Sequence, residues 1–100
     1  MLDQGPVPMW KGASGATLQH MPRFLIQHSH EPPECGVVFA AFKGHDSPLR
    51  HRATLASCAF GGHAIWWQVD AMTEAAALAL LPAYVAARAI ATRVSDVDIP

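Results

Sequence analysis

Phe24, Ile26, His28 and His30 stand at every second position of the chain. Successive side chains of an extended strand point to opposite faces, so these four share one. A strand over Arg23–Ser29 whose inner stripe runs from apolar residues into two imidazoles has to lie against a core. Everything after it must be arranged around that face. Pro32-Pro33 follows almost at once. Proline is tolerated in the first turn of a helix, so a helix is predicted to begin there. Glu31 and Glu34 sit where the helix dipole favours negative charge. Cys35, Val38, Phe39 and Phe42 recur at helical spacing and form one apolar stripe, and Gly44 is placed to end the helix.

After a loop at residues 45–48, a second strand is predicted over residues 51–60. Gly61-Gly62 reads as a two-residue hairpin turn into a third strand over residues 63–69. That turn would set Phe60 against His63, Cys58 against Ile65 and Ala56 against Trp67. One face of the hairpin then carries Cys58, His63, Ile65, Trp67 and Val69, and the other carries Leu55, Ser57, Trp66 and Gln68. Thr73 is a predicted N-cap for an alanine-rich helix reaching Arg88. Pro82 lacks a backbone donor, so a kink or restart is expected there. Residues 90–99 complete the pattern as a charged edge strand.

The predicted order is strand-helix-strand-strand-helix-strand, the ferredoxin-like α+β pattern βαββαβ. It implies a four-stranded antiparallel sheet in the order 4-1-3-2 with two helices on one face. Residues 1–20 have no sustained period and read as a disordered extension, leaving one domain at 21–100. A domain that small gains core by association. The uncovered sheet face, with Leu25, Leu55 and Trp66, predicts a homodimer closed into an α+β barrel.

Composition excludes several classes of function. The formal net charge is −1, so the chain has no excess of basic residues with which to hold nucleic acid. No apolar run is long enough to span a bilayer. The first residues lack the basic and apolar blocks of a secretory signal, and two cysteines suit a reducing cytoplasm.

The chemistry gathers at one end of the predicted sheet. Strands one and three are neighbours, so the end of strand one meets the start of strand three. His28, His30, Cys58 and His63 are candidate ligands there, and Cys35 and Glu34 could join from the helix start. Imidazole and thiolate together suit nickel or zinc. Each residue also has a purely structural reading, as a hydrogen-bonded histidine or a small buried hydrophobe. Trp66, Gln27 and Gln68 would line the barrel cavity, a place for a small organic ligand. That alternative would make the protein an enzyme of the isomerase or monooxygenase type, with His28 as acid or base. A third alternative is a dimerising structural module without a site. Lys43, Arg50 and Arg52 flank a loop at the far end and could receive an anion.

The opening Met-Pro-Arg-Phe-Leu at residues 21–25, the strand-borne His28 and the βαββαβ order resemble a group of small bacterial ferredoxin-like proteins of unknown function. Some members of that group are dimeric and bind nickel. The resemblance extends over residues 22–99 at the level of topology. It implies a transition metal held by histidine, here His28, and a homodimer.

Overall fold

The computed structural model describes residues 21–100. The expected extension at 1–20, with Trp10 and His20, lies outside them. The described chain is an α+β unit built on an open antiparallel sheet. β1 (Arg23–Ser29) lies between β3 (Ala64–Asp70) and β4 (Ala89–Val94), and β2 (Leu55–Ala56) flanks β3. The order β2-β3-β1-β4 is the expected 4-1-3-2 read from the other edge.

The period of two in β1 sorts its side chains as the sequence dictates. Phe24, Ile26 and His28 are buried, whereas Leu25, Gln27 and Ser29 are exposed. Across the ladder these buried residues face Val69, Trp67 and Ile65 respectively. Val38, Ala77 and Val85 from the helices, and Leu81 from the link at residues 79–82, join that face and Ala91 in one apolar cluster. Burying a side chain such as Ile26 contributes about 1.5–3 kcal/mol.

The first helix opens as a 3-10 turn at Pro32–Glu34 and continues as α1 (Cys35–Ala40). Val38 is fully buried and Phe42 packs on the core. Phe39 falls at the margin of the stripe and is 47% exposed. Gly44 takes a left-handed φ of 79° as the chain leaves the last turns.

The second strand is much shorter than expected. His51 adopts φ 64°, which breaks an extended path at its predicted start. At the other end Cys58–Phe60 is a 3-10 turn, so the connection to β3 is not a two-residue hairpin. The cause is Ser57. Its carbonyl accepts from both Phe60 N (3.0 Å) and Gly62 N (2.9 Å), which folds the chain back on itself before the ladder can extend. Leu55 therefore faces Trp66 and Ala56 faces Ile65, two residues away from the expected register. A shift of two leaves Leu55 and Ala56 on their predicted faces, whereas Cys58 and Phe60 leave the ladder altogether.

The alanine-rich segment restarts at its proline. α2 (Glu74–Leu78) is capped by Thr73, whose side chain accepts from Ala76 N at 3.0 Å. Pro82 then serves as the N-cap of α3 (Ala83–Ala86). β4 ends at Val94 rather than continuing to 99, and Asp96 beyond it pairs with Arg23 at 2.7 Å. No helix among the described residues is long and apolar enough to cross a membrane.

Candidate metal centre

Three pieces of backbone converge beyond the end of β1. His30 follows the strand, and its N–H donates to His63 O at 3.1 Å, which ties it to the loop before β3. Cys35 is the first residue of α1. Its position is set by the turn before it, where Glu31 N donates to Glu34 Oε1 at 2.8 Å and Glu34 N to Glu31 O at 2.9 Å. Cys58 and His63 bracket the Gly61-Gly62 loop. Gly61 takes φ 87°, a conformation open to glycine. At Gly62 an added Cβ would lie 2.7 Å from the Ser57 Cβ, so only glycine fits the close approach. His63 itself is left-handed at φ 52°. A non-glycine residue held there stores roughly 1–2 kcal/mol of strain.

The side chains meet closely. Cys35 Sγ lies 3.3 Å from His30 Nε2 and 3.1 Å from His63 Nδ1, and Cys58 Sγ lies 3.4 Å from His30 Nε2. One ligand atom from each of the four residues lies within 4.8 Å of every other. A tetrahedral ion with nitrogen at about 2.0–2.1 Å and sulfur at about 2.3 Å needs ligand separations of roughly 3.3–3.8 Å. The group is therefore close to the size of such a shell and compatible with metal binding. His30 is buried and the other three are half-buried. Burial raises the Cys35 thiol above its ordinary pKa, and the neighbouring Cys58 raises it further. Without an ion the thiol is held protonated. A metal would displace that proton.

The remaining predicted ligands stand outside this group. His28 is fully buried, its ring centroid 5.3 Å from that of His30. Its Nδ1 donates to Val85 O at 2.9 Å, since a carbonyl can only accept. Burial lowers its pKa, keeping the ring neutral. Glu34 turns its second oxygen away, accepting from Tyr84 Oη at 2.5 Å and from the Arg88 guanidinium. The guanidinium, then the tyrosine, hold its carboxyl well below the ordinary range, at about 2. Glu34 thus braces the helix start against Arg88, a contact that no periodicity or motif in the sequence indicates.

Trp66, Gln27 and Gln68 lie on the opposite face of the sheet. Gln27 is opposite Trp66 in the ladder, and Leu25 is opposite Gln68. Trp66 is half-buried and both glutamines are exposed. Gln27 borders a shallow depression with Ser29, Arg88 and Ile90, which neither Trp66 nor Gln68 reaches.

Comparison with models of known protein families, with curated proteins and with solved structures gives no match in any of the three.

Proposed function

We propose that this chain binds a single tetrahedral transition metal through His30, Cys35, Cys58 and His63, with zinc the preferred ion and nickel the competitor. The observation that carries this reading is the clustering of four ligand atoms within 4.8 Å, supplied by a strand end, a helix start and a loop. Two thiolates with two imidazoles in a tetrahedral array favour zinc, whereas nickel as Ni²⁺ gains from square-planar or tetragonal geometry. Four protein ligands close the shell, the pattern of a structural or storage site rather than a catalytic one. In a reducing compartment such as the cytoplasm both cysteines stay available as thiolates.

The unit functions in this reading as a ferredoxin-like homodimer. Its support is the uncovered sheet face, where Leu55, paired with Trp66, is 73% exposed and Ile90, paired with Gln27, is 70% exposed. A second copy would cover that face and enclose Trp66, Gln27 and Gln68.

Protein purified without a histidine tag, stripped and titrated with zinc and with nickel by calorimetry, tests the metal reading. One equivalent of zinc should bind more tightly than nickel. Affinity should fall in acid, because protons compete with the ion for imidazole nitrogen and thiolate sulfur. Cys35→Ala and His63→Ala should each abolish tight binding. Unchanged stoichiometric binding in both variants would defeat the assignment.

A further inference from the structure

The basic loop at the far end of the sheet borders a groove. Phe42 and Trp67 pack with ring centroids 6.0 Å apart, and together with Leu49 they floor a groove of about 230 Å³. Lys43, Arg50 and Arg52 line the same groove, and none of its lining residues among the described residues is acidic. The other cations near acids are already committed, Arg23 to Asp96 and Arg88 to Glu34. Lys43, Arg50 and Arg52 form no ion pair among the described residues. Arg52 donates from one nitrogen to Pro48 O at 3.5 Å, which leaves most of its guanidinium unused.

The backbone explains how these side chains come to line one groove. In a strand, neighbouring side chains point to opposite faces. Arg50, His51 and Arg52 are consecutive, yet all three line the groove. They lie in a turn rather than a strand, with His51 left-handed at φ 64°, so strand alternation does not apply to them. Residues of this kind persist where the surrounding structure over-determines them, commonly at ligand sites.

We propose that this groove binds a small organic anion with an apolar body, a one- or two-ring carboxylate being the class that fits. The floor takes the ring by apolar contact. The guanidinium groups of Arg50 and Arg52 take the carboxylate, for which their fork geometry is suited. The volume lies below the roughly 300–1,000 Å³ of drug-sized sites, which limits the body to a small one. The site is separate from the His/Cys group and does not depend on it.

The test uses the full chain with 2-naphthoate as probe, 2-naphthamide as its uncharged counterpart and inorganic phosphate as the anion without a body. Binding is read by calorimetry and located by amide chemical shifts. Naphthoate should bind saturably, with shifts centred on residues 42–54 and Trp67. The amide should bind at least tenfold more weakly, and phosphate should not compete at equal concentration. Arg50→Gln with Arg52→Gln should weaken naphthoate by roughly tenfold, a few-fold for each charge. Both side chains are outside the core, so the double variant should keep its melting temperature and its zinc affinity. Equal binding of acid and amide, equal competition by phosphate, shifts centred elsewhere, or an unchanged double variant would each overturn the proposal.

Discussion

Replacing Gly62 by alanine should damage both the loop and the metal centre, and the size of the damage follows from one contact. The new Cβ would sit 2.7 Å from the Ser57 Cβ, whereas carbon atoms rest at about 3.5–4.0 Å. The loop must therefore move by roughly 1 Å. Ser57 has little freedom to retreat, because its carbonyl holds Phe60 N and Gly62 N and its hydroxyl accepts from Ala64 N at 3.1 Å. Overpacking of this kind costs about 1–3 kcal/mol. At about 4–8 °C per kcal/mol for a domain of this size, the metal-free protein should melt about 4–24 °C lower. Metal–ligand distances tolerate only about ±0.2 Å, so a displacement of that order at Cys58 and His63 should cost at least tenfold in zinc affinity. Gly61→Ala is the control. Its Cβ meets nothing within 4 Å, and the penalty is only the left-handed backbone, about 1–2 kcal/mol. Thermal melts with and without zinc, with calorimetric titration, measure both effects. A Gly62→Ala protein with wild-type melting temperature and zinc affinity would refute the account of the loop.

Stability of the metal-stripped protein should decline as pH falls below about 6.5. His28 has a folded pKa below its ordinary 6.5, so the unfolded chain takes up the proton first. Its contribution is complete above that value and is lost as pH falls toward the folded pKa. His28→Leu should remove that part of the pH dependence in urea melts at pH 5 and 7.5. Ile26→Ala, in a fully buried position, should cost about 2–5 kcal/mol in the same assay. Trp66→Glu should shift the sedimentation coefficient to that of a monomer, because it would place a charge inside the proposed dimer face. A wild-type protein that sediments as a monomer at micromolar concentration would remove the dimer from the reading.

Much of the sheet is legible in the sequence because period two is a strong constraint wherever one face is buried. Phe24, Ile26 and His28 show it in β1, and Ile65, Trp67 and Val69 in β3. The restart at Pro82 is legible because proline lacks a donor. The path of residues 51–60 is not. Nothing local reveals that the Ser57 carbonyl accepts two loop amides or that His51 is left-handed. The site is legible as an end of the sheet, since His30, Cys58 and His63 are brought there by topology alone. That Cys35 completes the group while His28 turns to Val85 depends on the docking of α1 and α3, which no spacing encodes.

The central place of β1 also decides when the centre can form. His30 meets the loop through the pairing of β1 with β3, strands separated by the whole of α1 and β2, so the centre rests on non-local contacts. We expect contacts of that kind to complete after the folding barrier, and interactions absent from the transition state govern the escape rate from the native state. An ion held by His30, Cys35, Cys58 and His63 should then slow unfolding in stopped-flow measurements and leave the refolding rate nearly unchanged. It would be a latch closed on a finished sheet, not a nucleus around which the sheet is built.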